Sequence, residues 1–159
     1  MWDFFQEAQK TVFDVIAPAL GPEGEVETAV LNGDMGGATR IAEQNGMMIS
    51  NVRTSYNKNM LHVACSRANN MEMIQYLLSC GVDLRGVTDS RETCLHFAAR
   101  AGCLMTTKYL VENGISVIQK NSSGQTAYDV AGNNYNVRQY LLPLQLQQEG
   151  GPLPYFATT

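Results

Sequence analysis

The chain has 159 residues, is 45% hydrophobic and 16% charged, and carries a formal net charge of −4. A one-domain length with so little charge, 14 Gly and 5 Pro excludes a collagen, a long coiled coil and a strongly charged disordered chain. The acidic balance argues against a nucleic-acid binder, because phosphate contacts need clustered Lys and Arg. That balance is uneven. Residues 1–34 hold seven acids and one base, giving −6, and the remainder holds eight acids and ten bases, giving +2.

At the N-terminus, residues 2–20 predict an amphipathic helix, with Phe5, Ala8, Val12, Phe13, Ile16 and Leu20 near one face. Gly21-Pro22 is expected to stop it. Three roles stay open for residues 1–22. They are a cap over the apolar edge of the neighbouring helices, a partner-binding helix anchored by Trp2, Phe4 and Phe5, and a membrane-surface helix. Asp3, Glu7 and Asp14 suit an anionic bilayer poorly. The first residues lack the basic and apolar regions of a secretory signal, and no run is long and apolar enough to span a bilayer. The cysteines Cys65, Cys80, Cys94 and Cys103 form no Cys-x-x-Cys pair. Reduced thiols and a cytoplasmic location are the expectations, with the nucleus as the alternative.

Further along, the sequence repeats itself. Asn59-Met60-Leu61-His62-Val63-Ala64-Cys65 aligns with Thr93-Cys94-Leu95-His96-Phe97-Ala98-Ala99 and with Thr126-Ala127-Tyr128-Asp129-Val130-Ala131-Gly132, at spacings of 34 and 33. A glycine after an apolar run recurs at Gly46, Gly81 and Gly114, at spacings of 35 and 33. Each unit therefore predicts a turn, a short helix, a second turn, a longer helix and a Gly stop, where a residue without Cβ accepts positive φ. Thr93, which opens Thr93-Cys94-Leu95-His96, is placed to cap its short helix. One unit cannot cover its own apolar face, so the units must stack.

This period and these residues resemble the ankyrin repeat family. The best matching unit carries Thr93-Cys94-Leu95-His96, Ala98-Ala99, Gly102, Tyr109-Leu110 and Asn113-Gly114. Another carries Leu61-His62, Ala64, Leu77-Leu78 and Gly81-Val82-Asp83, with one extra residue near Asn69-Asn70. A degenerate first unit runs from Val26 to Gly46, and in the last unit Pro143 is expected to end the second helix. The resemblance implies an all-α repeat solenoid of about four helix-turn-helix units, at about 23–54, 55–87, 88–120 and 121–146. An N-terminal capping helix precedes them, and a tail, 147–159, completes the chain. The departures are specific. Met60, Cys94 and Ala127 stand where the family has Pro, and Asn57 and Arg91 replace a turn glycine. Arg tolerates the left-handed region poorly, so the turn before the third unit is expected to differ.

No catalytic, cofactor or metal site is predicted. His62 and His96 are the only histidines, and the resemblance makes them structural. Cys65 lies one helical turn from His62, but its Ala-rich surroundings read as packing rather than as an activated thiol. No Cys/His spacing fits zinc, and Gly33 with Gly36-Gly37 lacks the Gly-Lys-Ser/Thr of a phosphate loop.

The resemblance places a ligand on the loop tips and the exposed face of the inner helices. That maps to Ser55, Tyr56, Lys58, Ser66 and Arg67, then Asp89, Ser90, Glu92, Arg100 and Ala101, then Lys120, Ser122, Ser123, Gln125, Asn133 and Asn134. Lys58, Arg67, Arg100 and Lys120 make the face locally basic, which suits an acidic or phosphorylated protein segment. In the tail, Tyr155 and Phe156 are further capping or partner-binding candidates, and the irregular end reads as that of a fragment of a longer protein. The expected function is a non-catalytic protein–protein interaction module, an adaptor or scaffold, with weak self-association through the termini as a further expectation. A regulatory or inhibitory subunit and a self-associating assembly component are the alternatives.

Overall fold

The computed structural model describes residues 21–150. The helix expected over 2–20, with Trp2, Phe4 and Phe5, and the tail residues Tyr155 and Phe156 lie outside the described residues.

Four helix pairs succeed one another: α1 (Gly21–Leu31) with α2 (Met35–Gln44), α3 (Met60–Cys65) with α4 (Met71–Ser79), α5 (Cys94–Arg100) with α6 (Leu104–Glu112), and α7 (Ala127–Val130) with α8 (Tyr135–Gln148). The first member of each pair packs on the first member of the next, so α1, α3, α5 and α7 form an inner row. Small residues let these helices approach closely. Ala64, Ala98, Ala99, Ala127 and Ala131 are all buried. In α3 every residue from Met60 to Cys65 is buried, because neighbours cover it on both sides. The outer helices bury one stripe only, such as Met73, Ile74 and Leu77 in α4.

The glycine stops act as the sequence predicts. After α4, Gly81 (φ +82°) donates its N–H to Leu78 O and Val82 donates to Leu77 O, each at 3.0 Å. After α6, Gly114 (φ +86°) and Ile115 do the same with Val111 O and Leu110 O. This closes the helix end through a left-handed residue and buries the next apolar side chain, Val82 or Ile115.

Gly21-Pro22 opens α1, where Pro is tolerated because first-turn N–H groups have no intrahelical partner; the stop expected there for the helix over 2–20 concerns residues outside the described ones. Two expectations need correction. Pro143 does not end α8, which runs through it to Gln148, two residues into the expected tail. Arg91 does adopt the left-handed conformation, at φ +58°. It shares that left-handed position with Asn57 (φ +58°) and Gly124 (φ +75°), so the third and fourth units keep one turn, while in the second Tyr56 (φ +62°) is left-handed too.

Candidate functional site

Between the outer helix of one unit and the inner helix of the next, the chain projects a tip. In the second unit it is a two-residue antiparallel ladder, β1 (Arg53–Thr54) on β2 (Lys58–Asn59), closed by Ser55–Asn57. In the third, Thr88 N–H donates to Glu92 O at 3.0 Å and Arg91 N–H to Thr88 O at 2.8 Å. In the fourth, Asn121 N–H donates to Gln125 O and Gly124 N–H to Asn121 O, both at 2.9 Å. Consecutive tips are joined. Asp89 N–H donates to Tyr56 O at 3.0 Å, and Ser122 N–H donates to Ser90 O at 2.8 Å. These bonds hold three loops in one strip.

Beneath the strip lies a histidine relay. His62 Nδ1 accepts the Asn59 N–H at 3.1 Å, and Nε2 lies 3.1 Å from Gly86 O. His96 Nδ1 accepts from Thr93 N–H at 3.2 Å and from the Thr93 hydroxyl at 2.9 Å, and Nε2 lies 3.1 Å from Gln125 O. Only a neutral ring with the proton on Nε2 satisfies both ends. Burial pushes the His62 value down from 6.5 to about 4, and burial also lowers His96. In the last unit Asp129 replaces the histidine, and its carboxylate accepts from Thr126 N–H at 2.8 Å.

The sequence-selected residues divide by what they already hold. Tyr56 is 70% exposed at φ +62°, a strained backbone for an aromatic side chain. Asp89, Ser90, Ser123, Gln125, Asn133 and Lys120 are exposed, and Lys58 is half-buried. Ser66 is exposed but gives its hydroxyl to Val63 O. Arg67 is exposed, yet one guanidinium N–H goes to Leu31 O at 2.7 Å. Arg100 is paired with Glu92 and stacks on Phe97, its guanidinium carbon 5.7 Å from the ring centroid. Burial works to raise the Glu92 carboxyl, but the Arg100 hydrogen bond and charge outweigh it and hold the acid below its ordinary value. Asn134 is structural: its amide donates to Ala99 O and Arg100 O. A Cβ at Gly102 would stand 2.6 Å from Asn134 Oδ1, so glycine there makes room for this clasp. Sequence reasoning overlooked Arg53 and Arg91, both exposed cations on the tips. The left-handed position that marked Arg91 as a misfit also marks the outermost point of its turn.

The neighbouring Cys94 thiol and burial raise the Cys65 thiol well above its ordinary value. It is a packed thiol rather than a nucleophile for His62, whose ring packs edge-on against Phe97 at 5.4 Å. Among the described residues no group of three His, Cys, Asp or Glu side chains is placed to hold a metal. At the other end of the inner helices, a cleft of about 480 Å³ lies between the turns of the first three units. Cys103 faces it, with Sγ 3.1 Å from the Thr106 hydroxyl. Burial works to raise this thiol. The Thr106 hydroxyl and the backbone N–H groups of Asn69, Thr106 and Met105 outweigh that and lower it.

Residues 61–149 match the family model described as ankyrin repeats (3 copies). Among curated proteins, the transient receptor potential cation channel subfamily A member 1 homolog of Caenorhabditis elegans is 29% identical over 96 residues. That match covers 60% of this chain and 8% of the channel homolog.

Proposed function

The chain belongs to the ankyrin repeat family, and on that premise we propose that it is a non-catalytic adaptor or scaffold module that binds a partner protein through its joined tips. Ankyrin repeats are in general protein–protein interaction modules. The observation that carries the proposal is the pair of tip-to-tip hydrogen bonds, Asp89 to Tyr56 and Ser122 to Ser90. They preorganise a strip that offers an exposed aromatic, free hydroxyls and several cations. Preorganised contacts lose less entropy on binding than mobile loops do.

The partner chemistry that fits is an acidic or phosphorylated segment. Arg100 contributes less to it than its position implies, because Glu92 already neutralises it. Lys58, Arg91 and Lys120 carry the positive field, with Tyr56 as the aromatic contact. None of the described helices is long and apolar enough to cross a membrane.

Affinity capture with the intact chain tests this reading. It is repeated with Lys58→Glu/Arg91→Glu/Lys120→Glu and with Tyr56→Ala. Loss of the same partner from both variants, each with an unchanged circular dichroism melt, supports the strip. A partner retained in full by both variants sinks it.

A further inference from the structure

Three asparagines in this chain are followed by glycine, at Asn32-Gly33, Asn45-Gly46 and Asn113-Gly114. Each step closes a helix, α1, α2 or α6, and all six residues are exposed. The glycines sit at φ +75°, +68° and +86°. Their N–H groups donate to Val30 O at 3.2 Å, Glu43 O at 3.0 Å and Val111 O at 2.9 Å. Sequence, exposure and backbone make the three steps alike.

The side chains differ. Asn45 Nδ2 donates to Ile41 O and Asn113 Nδ2 to Tyr109 O, each at 2.8 Å. These bonds tie each amide to its own helix. Among the described residues the Asn32 amide has no acceptor, and a Cβ on Gly33 would meet nothing within 4 Å. The carbonyls just before Asn32 belong to the joint with the second unit. Arg67 donates to Leu31 O at 2.7 Å and Asn70 Nδ2 to Val30 O at 3.4 Å. Just after it, Asp34 caps α2 by accepting from the Gly37 N–H at 2.8 Å.

We propose that Asn32 is a site of spontaneous deamidation, through a cyclic imide formed with Gly33, and that the product loosens the joint between the first two units. The chemistry needs only water. Hydroxide takes the Gly33 amide proton, and the nitrogen attacks Asn32 Cγ. The bond from that nitrogen to Cγ forms, the bond from Cγ to the side-chain nitrogen breaks, and the latter leaves as ammonia with a proton from water. Glycine offers no Cβ to obstruct the approach. Water then opens the ring at either carbonyl, giving aspartate or isoaspartate with no change in oxidation state. The attack needs a side chain free to turn onto the nitrogen, and a bonded amide must first let go. Of the three asparagines, Asn32 alone starts without that bond. A carboxylate at this position stands at the negative end of α1. The isoaspartate also adds a carbon to the main chain between the Arg67 clasp and the α2 cap.

The full chain is incubated in mildly alkaline buffer, folded and in denaturing urea, then cleaved with trypsin. Cleavage after Lys10, Arg40, Arg53, Lys108 and Lys120 puts the three steps on separate peptides, and fragment-ion spectra read amide-to-acid conversion at each asparagine. In the folded chain, conversion at Asn32 should run about tenfold faster than at Asn45 or Asn113, about the factor that one retained hydrogen bond is worth. In urea the three rates should converge. Equal rates in the folded chain overturn the proposal, as does a folded chain in which Asn32 resists while the urea-treated chain converts. Rates that stay equally far apart in urea assign the difference to local sequence and overturn it as well. The converted chain, separated by ion exchange on its added negative charge, should unfold at a lower urea midpoint than the unconverted chain. An unchanged midpoint overturns the loosened joint.

Discussion

His96 Nε2 lies 3.1 Å from the carbonyl of Gln125, 29 residues further along the chain. His62 makes the same contact with Gly86 O. Each imidazole thus ties the cap of its own helix to the loop that leads into the next unit. The tie works only for a neutral ring, because a second ring proton would face the backbone N–H of Asn59 or Thr93.

Stability should therefore depend on acidity in a defined window. The folded value for His62, about 4, lies below the unfolded 6.5, so folding favours the neutral form. Its contribution is complete above pH 6.5 and is lost as the pH falls toward 4. At about 1.4 kcal/mol per tenfold change in proton affinity, this amounts to about 3 kcal/mol. Glu92, whose value is lowered from 4.5, adds a loss in the same direction only as the pH falls below about 4.5. Urea melts at pH 7.5, 5.5 and 4.5 should show the midpoint falling across this range. A midpoint that holds steady from 7.5 to 4.5 would contradict the relay.

The histidine and the aspartate that replaces it should differ in weight. His96→Ala leaves the buried Thr93 N–H unpaired and removes the link to the Gln125 carbonyl, which keeps only the Asn121 N–H, at a cost of about 1–3 kcal/mol. Asp129 bonds only within its own cap, at Thr126, and it is exposed. Asp129→Ala should cost about 1 kcal/mol. Equal losses in denaturant midpoint would mean that the contact between units contributes nothing.

Arg91 stands where Gly124 stands one unit later, both at positive φ. An L-residue there is strained, and glycine removes the clash at the expense of a more flexible unfolded chain. Arg91→Gly should raise stability by about 1 kcal/mol, Asn57→Gly should change it less, and Gly124→Arg should lower it by about 1 kcal/mol. Thermal melts of the three variants would rank them.

What was legible in the sequence is what the period dictates, the Gly81 and Gly114 stops and the paired helices, together with what the family resemblance implies, the histidines as structural groups. What escaped it depends on contacts between units. Arg91 keeps a conformation that suits it poorly because the neighbouring tips, through Tyr56–Asp89 and Ser90–Ser122, are tied on both sides of its turn. Arg100 reads as a free cation until the fold brings it to Glu92, eight residues earlier. Asn134 reads as an exposed ligand contact until its amide is seen to be held by the carbonyls of Ala99 and Arg100.

Pro143 is the clearest case of packing overriding a local rule. Proline has no N–H for the Gln139 carbonyl, and its ring crowds the preceding turn, which normally breaks a helix. Here α8 continues because Val137 and Leu141 are buried upstream and Leu144 packs against the core downstream. Just past the proline, Gln145 Oε1 accepts the Thr126 hydroxyl at 3.0 Å, which ties the helix end to the last inner cap. The helix is therefore held against a local penalty. Pro143→Ala should restore the missing bond and raise stability by about 1–3 kcal/mol. Leu141→Ala should lower it by about 2–5 kcal/mol, because Leu141 is 1% exposed and its loss leaves a cavity. Urea midpoints for the two variants settle the point. If Pro143→Ala leaves the midpoint unchanged or lowers it, the proline supports the last helix instead of straining it.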